Sequence, residues 1–166
     1  MSSQQLIEAR ESQSDNSRQL AAEEFQFAYS GARVHRLWSK LIGRANHLCD
    51  LGNVREVAIL QSRRYAGIHD VPIQQIRGSE GRSHDFSNDF RPLQSRTRQR
   101  WVNVAAARQQ GLELPPVELV QVGNVYYVRD GHHRISVASA RGETAVDAEV
   151  TVWDVPDAVA SEICPL

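Results

Sequence analysis

The chain has 166 residues, 41% of them hydrophobic, and a formal net charge of −1 at pH 7. That length and apolar share suit one compact domain with its own core, and the near-neutral total excludes a chain held to nucleic acid by bulk charge alone. Its two cysteines, Cys49 and Cys164, stand far apart and outside any CxxC spacing, so neither a disulfide framework nor a thiolate zinc site is expected.

The first dozen residues are polar and are expected to be mobile. They lack the basic start and apolar stretch of a secretory leader. No apolar run reaches the roughly 20 residues a membrane helix needs, so a cytoplasmic protein with no membrane partner is expected. From Ser17 to Leu51 the residues Leu20, Phe27, Val34, Leu41 and Leu48 recur every seven positions, with Trp38 and Ala45 four places after two of them. This is a helical period. Gly31 and Gly43 are expected bends and Gly52-Asn53 a stop, giving a helix pair that packs on the rest of the protein or forms a homodimer seam.

"YAGIHDVPIQQIRGSEGR" follows, where Val71, Ile73 and Ile76 predict a short strand opening into a polar glycine-bearing loop. In "RPLQSRTRQRWVNVAAARQQG" an early Pro92, helically spaced apolar residues and Gly111 predict a helix and its stop. Arg63 to Arg108 carries nine arginines against four acids, whereas Gln109 to Leu166 carries three against nine. The arginines at 91, 96, 98, 100 and 108 meet no acid within the helical segment, which makes that face an anion-binding candidate. The one lysine is Lys40, so neither a P-loop lysine nor a Schiff-base lysine is expected. Arginine, histidine and backbone amides must hold any phosphate.

"VELVQVGNVYYVRDG" gives two β-rich runs around Gly123-Asn124, a hairpin. "HHRISVASARG" is a short helix and "AVDAEVTVW" alternates as a last strand. Between hairpin and helix stand Asp130, Gly131, His132, His133 and Arg134. A helix's first N–H groups lack intrahelical acceptors, and a glycine lets the backbone turn tightly and approach a ligand. Gly131, His132, His133 and Arg134 are therefore the predicted phosphate binders, Arg134 as a charged fork and the histidines as donors or proton carriers. Asp130 can cap the helix, orient a histidine, or bind a metal that accompanies phosphate. Adjacent histidines do not share a helical face, and no third ligand has metal spacing, so no resident metal is expected.

This arrangement resembles the ParB/sulfiredoxin superfamily from roughly Tyr65 to Trp153, most specifically in "LPPVELVQVGNVYYVRDGHHRISVASARG". The Asp-Gly-His-His-Arg motif is similar to that of the superfamily's free serine kinases. His132 stands where sulfiredoxins carry their reactive cysteine. The resemblance implies an α+β fold, a small mixed sheet with helices. It divides the chain into a polar tail and helical extension (1–62), a ParB/sulfiredoxin-like domain (63–155) and a tail (156–166). It further implies a nucleotide ligand, ATP, ADP or CTP, carried with or without Mg2+.

The leading expectation is phosphoryl transfer or nucleotide hydrolysis at the Asp-Gly-His-His-Arg helix start. Glu80 in "RGSEGR" is the expected general base, because in the resembled fold this loop approaches the nucleotide; Asp130 or His132 is the alternative. Arg77 and Arg82 flank Glu80 and can neutralise developing charge. Two other classes remain open: a ParB-like DNA-binding protein or nuclease using the arginine-rich helix on a nucleic-acid backbone, and a nucleotide-responsive interaction module without turnover.

Overall fold

Residues 3–41, 47–52 and 62–156 are described by the computed structural model. One helix, α1 (Ser3–Leu41), replaces the expected mobile tail and helix pair and runs unbroken through Gly31. Alanine, glutamate, glutamine and arginine fill much of its length, and these residues lose little side-chain freedom in a helix, so a single interior glycine does not break it. Gly43 lies outside the described residues.

Where its side chains are described, the face that α1 buries is not the seven-residue stripe; those of Val34, Trp38 and Leu41, and Ala45, lie outside the described residues. Ser17, Ala21, Phe25, Ala28 and Ala32 are buried, while Leu20 is 47% and Phe27 83% exposed. Small residues at three- and four-residue steps let the helix lie close against α2 (Arg98–Gln109), where Phe25 meets the Trp101 ring edge-on at 5.7 Å. Leu48, the last residue of the stripe, is buried in the core of the sheet and precedes a two-residue strand rather than lying on a helix.

The sheet has six strands: β1 (Cys49–Asp50), β2 (Ser62–Pro72), β3 (Ile76–Ser79), β4 (Val117–Val122), β5 (Val125–Asp130) and β6 (Ala145–Asp154). Their order across the sheet is β1-β3-β5-β4-β6-β2. The β1/β3, β3/β5 and β4/β6 pairs are parallel, and the β4/β5 and β6/β2 pairs antiparallel. Sheet and helices together form the expected α+β class. The Gly123-Asn124 hairpin, the last strand and the short helix α3 (His132–Ala140) also stand as the sequence predicts.

The strand around Val71 and the arginine-rich helix also differ from expectation. The single short strand around Val71 to Ile76 is two strands separated by a 3-10 turn at Ile73–Gln75. The arginine-rich helix begins at Arg98, after a 3-10 turn at Ser95–Thr97, well beyond Pro92.

Apolar clusters cover both faces of the sheet. Leu119, Val128 and Val150 pack with Phe86, Phe90 and Ile135 on the α3 side. Val120, Val122, Tyr127 and Trp153 pack with Leu51 on the other. This alternation is the period-two reading of the strands. Tyr127 occupies the space beside Gly78, where an added Cβ would stand 2.0 Å from its Cδ1, and burial pushes its phenol up to about 12. Cys49 is disulfide-bonded, against the expectation of no disulfide. No described helix is long and apolar enough to cross a membrane.

Candidate anion site

β3 and β5 run parallel with Ser79 opposite Val128, so the loop after β3 and the start of α3 emerge on the same side of the sheet. Gly131 makes the turn between β5 and α3 in the left-handed region, at φ 96°. A Cβ there would stand 2.5 Å from Cγ1 of Val117, so the backbone requires glycine twice over, by conformation and by space. The first helical hydrogen bond runs from the Ile135 N–H to the Gly131 carbonyl, which leaves the N–H groups of His132, His133 and Arg134 ahead of it.

Both histidines turn inward. His132 Nε2 lies 2.7 Å from the buried Ser79 hydroxyl. Ser79 Oγ also accepts the Arg82 N–H at 3.1 Å, which ties the loop after β3 to the same hydroxyl. His133 Nε2 lies 3.3 Å from an Nη of Arg82. A guanidinium only donates, so Nε2 must accept and the imidazole hydrogen sits on Nδ1. That Nδ1 is buried with no hydrogen-bond partner. Phe86 stacks on His132 and sets its edge against His133. Burial, reinforced by the Arg82 charge, holds both imidazoles down to about 4, so both are neutral at pH 7.

Beside His133 a cleft of about 420 Å³ opens, lined by Gly81, Arg82, Asp85, Arg96, Thr97, Arg100 and His133. Three guanidiniums share it with one carboxylate. Asp85 is buried, pairs with Arg96 and lies 3.6 Å from Nε of Arg82. Arg100 has no carboxylate partner among the described residues. The cleft also sits at the start of α2, the positive end of the helix dipole, whose first turn carries no acid. The charge balance and the helix start favour the same occupant, an anion.

The cleft draws together two separate sequence signals. His133 and Arg82 come from the predicted site, and Arg96 and Arg100 from the arginine run. The other predicted residues are placed differently. Arg134 donates to the Pro115 and Pro116 carbonyls and pairs with Asp130, so its guanidinium fastens the start of α3 to the approach to β4. Glu80 follows Ser79 and accepts from Arg129 at 3.1 Å. Arg77 is exposed on β3 and does not line the cleft. Elsewhere in the arginine run, acids distant in sequence or in the preceding loop answer the charge: Glu143 pairs with Arg108 and Asp89 with Arg91. Asp85 carries no signal of its own in the sequence, whereas Arg96 and Arg100 belong to the arginine run that the sequence marks as an anion-binding candidate. The absence of local acids around Arg96 and Arg100 was the available signal.

Fold and cleft together define an α+β protein with a cationic pocket beside two buried neutral histidines. No protein-family model and no curated protein matches the chain. Among solved structures, the crystal structure of sulfiredoxin from Arabidopsis thaliana is similar at 24% identity and a TM-score of 0.33, covering 50% of this chain and 82% of that one.

Proposed function

We propose that the chain binds a phosphorylated small molecule, a nucleotide in the first instance, with phosphate seated among Arg82, Arg96, Arg100 and His133. The observation that supports this most directly is the convergence of three guanidiniums on a cleft with one buried carboxylate. Forked arginine contacts suit phosphate oxygens, and a volume of this order suits a small-molecule ligand. The excess positive charge matches a doubly charged terminal phosphate better than the singly charged diesters of a nucleic-acid backbone. The ParB/sulfiredoxin-like reading of the Asp-Gly-His-His-Arg stretch belongs to the same proposal.

Among the described residues no group of three or more His, Cys, Asp or Glu side chains is placed to hold a metal ion. A Mg2+ ion would therefore be carried mainly by the nucleotide's own phosphates. Phosphoryl transfer or nucleotide hydrolysis extends this reading, with Glu80, Asp130 and His132 as candidate bases; the binding claim does not depend on it. The test is thermal denaturation with ATP, ADP and CTP, each with and without Mg2+, alongside duplex DNA at physiological salt. A ligand that binds the native state at 100 times its Kd stabilises it by about 2.7 kcal/mol. Stabilisation by a nucleotide supports the proposal. Stabilisation by duplex DNA alone, or by nothing tested, overturns it.

A further inference from the structure

Resting on the phosphate-site reading, we infer that oxyanion binding in this cleft takes up one proton at His133. The anion draws the Arg82 guanidinium off the imidazole, and the nitrogen so freed is protonated and donates to a ligand oxygen.

The unliganded geometry supplies both halves of the exchange. His133 Nε2 is occupied as an acceptor by Arg82, and a protonated imidazole cannot accept. The groups facing His133 come from every side. Arg82 and Asp85 lie on the loop after β3, Arg96 on the 3-10 turn, Arg100 on α2, and Asp130 and His132 on the β5 to α3 turn. Burial, Arg82 and Arg100 keep the ring neutral and hold its proton affinity down, with its value lowered to about 4, while Asp85 and Asp130 oppose them less strongly.

A tetrahedral dianion among the three arginines reverses that field. Arg82 gains a doubly charged partner in place of a neutral nitrogen, which favours leaving the ring. The vacated Nε2 then faces negative charge, and that favours its protonated form. One proton passes from solvent to Nε2, forming its N–H bond as the solvent donor's bond to hydrogen breaks, and no other covalent bond changes. Because the free site is deprotonated above about pH 4 and the occupied site holds a proton to higher pH, affinity rises as pH falls between the two values. Its steepest slope is about tenfold per pH unit. His133 is then the residue by which the cleft recognises the ligand's charge.

Inorganic sulfate is the chosen probe, because its own charge is constant from pH 5.5 to 8. Calorimetric titration at pH 6 in two buffers of different ionisation heat reads the protons taken up directly. The expected result is uptake of a substantial fraction of one proton per sulfate, with affinity rising at least several-fold from pH 8 to pH 5.5. His133→Gln keeps a hydrogen-bonding atom near the Nε2 position but cannot be protonated; it is expected to bind without proton uptake and with flat pH dependence. The inference is overturned if sulfate does not bind, if it binds the wild type without proton uptake, or if a folded His133→Gln takes up the same proton. Should that variant not fold, the wild-type two-buffer result decides. Nucleotide binding without proton-linked sulfate binding overturns this inference and leaves the phosphate-site reading standing.

Discussion

The Ser79 hydroxyl lies 2.7 Å from His132 Nε2, joining the end of β3 to the first residue of α3 inside the protein. Neighbouring His133 is buried too, and both rings are held neutral with values lowered to about 4. An unfolded histidine titrates near 6.5. Between those values the unfolded chain binds more protons, so stability is fully present above about pH 6.5 and is lost as pH falls toward 4. The loss is roughly 1 kcal/mol per pH unit for each ring at its steepest. Denaturant unfolding at pH 7, 6, 5 and 4.5 reads this directly. A flat profile contradicts the buried, neutral assignment.

Gly131→Ala is expected to destabilise the protein by about 2 to 4 kcal/mol, combining left-handed strain with a clash against Val117. Chemical denaturation measures it. A change below about 0.5 kcal/mol, the range of an ordinary surface substitution, would show that the β5 to α3 turn is not built as described.

Phe25→Ala and Phe27→Ala separate the two faces of α1. Phe25 is 1% exposed and sits on Trp101, so its loss is expected to cost roughly 3 to 5 kcal/mol. Phe27 lies outward, and its loss is expected to cost under about 0.5 kcal/mol in the monomer. Equal losses would restore the seven-residue stripe as the packing face.

Arg134→Ala tests whether that arginine serves structure or ligand. It donates to two backbone carbonyls and pairs with Asp130. Removal is expected to lower stability by about 1.5 to 3 kcal/mol, the worth of a charged hydrogen bond, and to change nucleotide affinity less than twofold. Unchanged stability with a tenfold weaker affinity would return Arg134 to the ligand.

What the sequence made legible follows from how local each signal is. The hairpin at Gly123-Asn124, the glycine turn at Gly131 and the alternation of β6 are set by neighbouring residues, and all three stand as expected. The face of α1 is not local: Phe25 and Phe27 are identical in size, but only Phe25 shares a face with Ala21 and Ala28, whose small side chains let α1 approach Trp101. The site divides in the same way. A helix start with histidines is visible in a five-residue stretch. That Arg96 and Arg100 lie beside His133, while Arg134 turns to Pro115 and Pro116, depends on tertiary placement. Asp85 is short-range in sequence to Arg82 but orders Arg96 from eleven residues away.

The most direct test of the central claim is calorimetric titration of ATP with Mg2+ into wild type and Arg100→Ala. Arg100 lines the cleft and has no carboxylate partner among the described residues, so its removal takes away a ligand contact without breaking an ion pair. The account predicts wild-type binding and an affinity about 10- to 100-fold weaker in the variant, the loss of one charge-assisted contact, with thermal stability without ligand unchanged. Equal affinity in two equally folded proteins would place the phosphate elsewhere and contradict the account.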